Sequence, residues 1–289
     1  MNCISIQSHI TVIKEGAGPG TTVLTITTDL LSFDSVRNAA AELNKIAQQN
    51  GGLDVLACNA GVMAMPDKRS SDGYDIQMQA NQLSHYLLTK LCMESLESAA
   101  AARGEARVVY HSSSARNGLP SDLDPKFFQI CDAGSLGGDD KMTAPWERYH
   151  QSKLANSAFA MALHDKLTEK GSKVKAFACD PGAAATNLQS SAENSGCLFS
   201  AMMSCAAPMG YVQSPADGCL SIGVCCFGPE ANSGDLYMPS KKGGMTGPPK
   251  KSVSGGELVV KNESQTVSEV NKKLVLEECE RVFGFASTL

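Results

Sequence analysis

The stretch A-R-V-V-Y-H-S-S-S, residues 106–114, decides the fold. Its apolar and β-branched run ends abruptly in three serines, the pattern of a buried strand running into a polar turn. Three further runs share that character: T-V-L-T-I-T-T at 22–28, L-D-V-L-A at 53–57 and V-K-A-F-A-C at 174–179. Between the first two, Val36, Ala39, Ala40, Leu43, Ile46 and Ala47 recur at three- and four-residue spacing, with Gly51 and Gly52 beyond as a stop signal. That spacing predicts an amphipathic helix.

Working outward, helical patterns run from about Asp75 to Ala100 and from about Glu147 to Lys170. Ser214-Pro215 supplies an N-cap and a first-turn proline for another helix. A short strand near Asp235 to Met238 follows. Residues 241–265, rich in Gly, Lys, Pro and Ser without period, read as a surface loop, and a C-terminal helix closes the chain at about 266–284. Strands alternating with helices of this length imply βαβ crossovers and a parallel sheet covered on both faces. The fold class is α/β, a doubly wound parallel sheet in a single domain over residues 1–289 with its core at about 15–240.

Bulk composition narrows the function. The chain has 289 residues and a net charge of -5, with acidic and basic residues interspersed, so no basic face is concentrated to attract nucleic acid or anionic lipid. The 11 cysteines are odd in number, scattered and free of C-x-x-C pairs, which fits reduced thiols in a cytosol-like, intracellular compartment. The histidines form no ligand set, so no metal is expected. The N-terminus lacks the features of a signal or transit peptide, and the most apolar later stretch, 197–212, falls short of the roughly 20 apolar residues that cross a bilayer.

The chemistry sits in Y-H-Q-S-K, residues 149–153. Four-residue spacing puts Tyr149 and Lys153 on one helix face. An ammonium near the phenol favours the phenolate and lowers its pKa from about 10 toward the working pH, which would make Tyr149 an acid/base. A solvated helix face would explain the pair alone equally well. Context decides: the serine turn at 112–114 lies at the carboxyl end of its strand, where ligands of open parallel sheets gather. The strand at 53–57 ends in Cys58-Asn59-Ala60-Gly61, whose small residues let a ligand approach, and the strand at 174–179 ends in Asp180-Pro181-Gly182, with Thr186 after it.

In this order the motifs resemble the short-chain dehydrogenase/reductase family over roughly residues 15 to 285. They are Asp29-Leu30, C-N-A-G at 58–61, N-Q-L-S-H-Y-L-L-T from Asn81, H-S-S-S at 111–114, Y-H-Q-S-K at 149–153 and P-G-A-A-A-T at 181–186. The segment with Lys126-Phe127-Phe128 and Trp146 resembles the branch holding retinol dehydrogenases and protochlorophyllide oxidoreductases, and W-E-R-Y-H-Q-S-K-L-A-N favours the retinol dehydrogenase-like side. The resemblance implies a Rossmann-like fold and an oxidoreductase using NADP or NAD on a carbonyl or alcohol. It implies Tyr149 as acid/base, Lys153 as the residue that lowers the tyrosine pKa and binds the nicotinamide ribose, Ser113 as the group orienting the substrate oxygen, and Asn81 as holder of a relay water. Asp29 would meet the adenine, Asn59, Ala60 and Gly61 its ribose, and Pro181, Gly182 and Thr186 the nicotinamide side. Leu198, Phe199, Met202, Met203 and Met209 lie where the family places a substrate lid, which suggests a lipophilic substrate.

One part of that pattern is missing from the sequence: the strand, T-G-x-x-x-G-x-G turn and helix that receive the pyrophosphate. Gly16, Gly18 and Gly20 precede a predicted strand instead of following one, and Pro19 removes an amide donor. Two strands that normally separate 22–28 from 53–57 are absent with it, an opening on the order of 10 Å. Three expectations follow: an incomplete gene product lacking the first βαβ unit, a substitute strand from residues 3–14, or a strand 22–28 that moves across. The alternative function is a non-catalytic binding or scaffold protein that has lost the phosphate site.

Overall fold

The structure, a computed structural model, describes residues 13–118, 121–131, 136, 143–186 and 206–285. Helix α1 (Phe33–Gln49) starts at Ser32, whose hydroxyl accepts from the Ser35 amide at 3.3 Å. Such a cap contributes about 1 kcal/mol. Strand β1 (Val55–Cys58) follows, then a single helical turn (Ile76–Met78), a π-turn (Gln79–Leu83) and helix α2 (Ser84–Arg103). Strand β2 (Ala106–His111) leads through a 3-10 turn (Ser114–Asn117) toward the long helix α3 (Ala144–Glu169) and strand β3 (Val174–Cys179). Beyond the turn Pro215–Gly218, capped by Ser214 as expected, come α4 (Leu220–Phe227), β4 (Leu236–Lys241), β5 (Thr246–Ser254), β6 (Glu257–Leu258) and α5 (Glu269–Phe283).

The six strands form one sheet in the order β1-β2-β3-β4-β5-β6. β1 to β4 are parallel, and β5 and β6 add antiparallel. The expected α/β class, with helices on both faces of a largely parallel sheet, is therefore present. One face packs on α2, α3 and α5 through a core that includes Tyr86, Val108, Tyr110, Leu154, Phe159 and Leu236. Ala155, Ala158, Ala160 and Ala162 let α3 lie close on the sheet, and this helix is buried nearly all round. The other face carries a smaller cluster of Val109, Phe177, Cys179, Cys225 and Tyr237 under α4. Phe227, at the end of α4, is 77% exposed.

Two sequence expectations need correction. Residues 22–28 form no strand: they are largely exposed and lie outside the sheet, so this segment does not move across to β1. β-branched residues favour a strand only where a neighbouring strand and a packed face receive them, and among the described residues β1 pairs with β2 alone. The substitute strand at 3–14 falls almost wholly outside the described residues, and residues 13–16 are helical. Residues 241–265 are not simply a loop. Residues 246–254 build β5 and 257–258 build β6, with Val253 buried opposite Leu236. The Lys-Pro-Gly composition hid these strands, since Pro249 faces Pro239 at a position where neither supplies an amide.

Candidate active site

The carboxyl ends of β1, β2 and β3 converge with α3 and the π-turn. Strand register sets the frame: Cys58 pairs with Tyr110, and His111 pairs with Cys179. The Ser112 amide donates to the Cys179 carbonyl at 2.7 Å, and the Ser112 hydroxyl donates to the Lys153 carbonyl at 2.7 Å. Ser112 thus ties β2 to β3 and α3, leaving Ser113 to turn toward the tyrosine. Ser113 has extended backbone and caps the 3-10 turn, its hydroxyl accepting from the Ala115 amide at 3.3 Å.

Tyr149 is buried, and its phenol lies within interaction range of the Ser113 side chain. Burial pushes the phenol up to about 12; the Ser113 hydroxyl opposes that rise and the Asp180 carboxylate adds to it. The Lys153 ammonium lies 5.8 Å from the centre of the Tyr149 ring and donates to the His111 carbonyl at 2.9 Å. Burial pulls Lys153 down to about 8, against Cys179 and Asp180. The two side chains lie together, as their four-residue spacing leads one to expect, while the dominant influence on the phenol is desolvation and not the ammonium. Met63 and Ala64 pack on Tyr149, and the Trp146 ring meets it edge-on with centroids 6.2 Å apart.

Asn81 sits in the π-turn, a distortion common at functional positions. Its side chain clamps the turn after β1: Oδ1 accepts from the Val62 amide at 2.8 Å, and Nδ2 donates to the Val62 carbonyl at 3.0 Å and to the Ser152 hydroxyl at 2.8 Å. Its carbonyl accepts from Asn156 Nδ2 at 2.7 Å. Asn59 and Ala60 are exposed on this turn, and Gly61 lies directly over the cluster. A Cβ at Gly61 would stand 2.9 Å from Asn81 Oδ1 and 3.3 Å from Lys153 Nζ, so only glycine lets the backbone approach this closely.

The remaining expected contacts are less uniform. Pro181 and Gly182 are half-buried, and Gly182 has a φ of 64° with the Met245 carbonyl 2.3 Å from where a Cβ would be, so its α-carbon faces the β4–β5 connection. Thr186 is exposed at the edge of the described stretch. Asp29 is exposed in a turn of its own, its carboxylate accepting from the Leu31 amide at 2.9 Å while its amide donates to Ser35 Oγ at 2.9 Å. The lid residues 198, 199, 202 and 203 lie outside the described residues, and Met209 is 64% exposed.

Sequence reasoning passed over Ser152 and Asn156, which lie three and seven residues after Tyr149 on the same helix and hold Asn81. Helical spacing from Tyr149 was the available signal. It also passed over Arg116, fully buried three residues after Ser113, for which the sequence carries no local sign.

The donor set fits the ribose end of a nicotinamide nucleotide. Lys153 has three ammonium protons with one directed to His111, and Gly61 leaves backbone bare beside it. Among the described residues, no strand runs into a glycine-rich turn suited to the pyrophosphate; Gly16 to Gly20 follow a helical turn and are nearly all exposed.

Comparison with known proteins gives the family. A short chain dehydrogenase profile matches residues 5–121. Oxidoreductase fscI of Fusarium equiseti is 32% identical over 176 residues, covering 57% of this chain and 67% of that protein. Human retinol dehydrogenase 13 is 34% identical over 160 residues, covering 55% of this chain and 43% of its own length. A crystal structure of an uncharacterized protein from Mycobacterium paratuberculosis superposes with a TM-score of 0.59 at 25% identity, covering 91% of this chain and 76% of that one. The chain spans less than half the length of several curated relatives it matches. With the strand order, the serine turn and the tyrosine–lysine helix already in place, these matches settle its kinship: the chain belongs to the short-chain dehydrogenase/reductase family.

Proposed function

We propose that this chain is an oxidoreductase acting on the carbonyl or alcohol group of a lipophilic small molecule with NADP or NAD. The observation that carries the reading is the half-buried Ser113 hydroxyl beside the buried Tyr149 phenol, with Lys153 one helical turn further on. A bound nicotinamide would supply or take up the hydride. Tyr149, protonated at neutral pH because burial holds its phenol near 12, is in the state that gives a proton to a carbonyl oxygen being reduced. Ser113 would hold that same oxygen through its hydroxyl. Lys153 would bind ribose hydroxyls and return a proton toward Tyr149, and Asn81 fixes the turn at Gly61 against which the nucleotide would lie. Pro181, Gly182 and Thr186 would border the nicotinamide, Asn59 and Ala60 the adenine ribose, and Asp29 the adenine. Substrate lipophilicity is supported by Met63, Ala64 and Trp146 around the phenol and by the likeness to a retinol dehydrogenase.

Trp146 is the chain's one tryptophan and lies beside Tyr149, so its fluorescence reports nucleotide entry directly. Titration with NADPH and NADH is expected to quench it; no response to either at millimolar concentration would defeat the reading. Tyr149→Phe is expected to keep nucleotide binding while turnover falls about 10²- to 10⁴-fold, the usual worth of a positioned acid/base. Full turnover in that variant would remove Tyr149 from the proton transfer. A second reading, a non-catalytic binding or scaffold protein, is favoured by one observation: no pyrophosphate turn occurs among the described residues. It predicts no quench.

A further inference from the structure

A fully buried ion triad stands directly behind the cluster just described. Arg116 donates through Nη1 to Asp180 at 2.5 Å, through Nη2 to Glu263 at 2.5 Å and through Nε to Glu263 at 2.9 Å, and the three side chains are at most 1% exposed. Thr266 and Asn117 complete the Glu263 carboxylate. Each member belongs to a different piece of the rim. Arg116 lies in the 3-10 turn opened by Ser113, and its amide donates to the Ser113 carbonyl at 3.0 Å. Asp180 follows the last residue of β3, and its Oδ1 accepts from the Gly182 amide at 2.8 Å. Glu263 holds Arg116 from the segment that follows β6.

Fold stability alone gives little reason to keep this arrangement, because removing three charges from water costs several kcal/mol per ion before any attraction is recovered. Its placement gives a better one. Cys179 is register partner of His111, whose carbonyl receives Lys153 Nζ, so the residue after Cys179 brings its carboxylate to the lysine's end of the strand. We propose that Asp180, clamped by Arg116, is a positioning residue: it fixes the serine turn against the Pro181-Gly182 turn and keeps a negative charge facing the Lys153 ammonium. The inference rests on the proposed role of Lys153 and goes beyond it in naming what holds that lysine charged.

Among the described residues, the groups facing Lys153 are Tyr149 on its own helix, His111 on β2, His85 on α2, Cys179 at the end of β3 and Asp180 directly after it. Burial keeps His85 and His111 neutral near pH 8 and pushes the Cys179 thiol well up, and Tyr149 is likewise protonated there. Asp180 is thus the charged neighbour that favours the ammonium over the amine.

The test follows the Cε resonance of Lys153 against pH in ¹³C-lysine-labelled protein, assigned with Lys153→Arg, and requires no nucleotide. The wild-type midpoint is expected near 8. Asp180→Asn, which preserves shape and the Gly182 bond, is expected to lower it by about one unit, while Glu263→Gln, across the guanidinium, moves it by less than about a third of that. Arg116→Gln, which removes the cation and leaves the carboxylate, should raise it, and this variant decides the matter if Asp180→Asn does not fold. A midpoint unmoved in Asp180→Asn, or moved equally by Glu263→Gln, overturns the proposal, as does failure of both Asp180→Asn and Arg116→Gln to fold, which would make the triad a structural element only. Failure of NADPH to bind would sink the proposed activity and leave this outcome readable by itself.

Discussion

Residues 22–28 and 106–111 carry much the same apolar and β-branched pattern, yet they end in opposite states. In β2, Val108, Val109 and Tyr110 are fully buried between β1 and β3. In the N-terminal segment Leu24 is 61% exposed and, among the described residues, no strand pairs with it. The difference lies in the surroundings and not in the residues. A strand takes most of its stability from cross-strand neighbours and a covered face, and propensity alone fixes neither.

The largest test of that contrast is on the buried side. Phe159 of α3 packs on β2 and α2, with its ring 5.0 Å from Tyr110 and 5.2 Å from Tyr86, and it is fully buried. Phe159→Ala is expected to cost about 3 to 5 kcal/mol in urea unfolding, through lost transfer energy and the cavity left behind. A loss below about 1 kcal/mol would mean that this core is far more plastic than close packing allows.

A smaller effect comes from acid, and its origin is again burial around β2. His111 at the end of β2 and His85 on α2 are held neutral by desolvation and by Lys153, with His111 down to about 3 and His85 to about 4. Their folded pKa values lie below the unfolded value of about 6.5, so the unfolded chain takes up protons first and stability falls as pH drops through 6.5 toward 4. Asp75 works the other way: burial raises it to about 6, so its protonation below that pH favours the folded state. Two histidines against one carboxylate predict a net loss on the order of 2 to 3 kcal/mol between pH 7 and pH 5. Unfolding curves that coincide at the two pH values would show that these histidines are reached by water.

How far sequence went in reading this molecule follows the same division. Strands β1 to β3 and helices α1 to α3 were legible because their apolar residues recur at the period of the element that buries them. Tyr149, Lys153, Ser113, Asn81 and Gly61 were legible as a motif set, and the strand ends do bring them together. Strands β5 and β6 were not, because Pro, Gly and Lys mask a pairing that depends on β4 being there to receive it. Arg116 was not, because its meaning comes from Asp180 and Glu263, 64 and 147 residues away. Asp29 shows the reverse: a motif residue whose local bonds to Leu31 and Ser35 are those of an ordinary turn.

The smallest expected effect falls on the exposed side of the comparison and sharpens it most. Leu24→Ser replaces the most exposed apolar residue of 22–28 by a polar one. If the segment lies outside the cooperative fold, the substitution changes unfolding free energy by less than about 0.5 kcal/mol, as for surface positions in general. Solubility should rise, since an apolar side chain is removed from open water. A loss of about 2 kcal/mol or more would instead match a leucine buried on folding, and would place this run against a sheet face or a second chain in solution. The two outcomes differ by more than an order of magnitude in the unfolding equilibrium, so a single denaturation curve separates propensity without a partner from a strand whose partner comes from elsewhere.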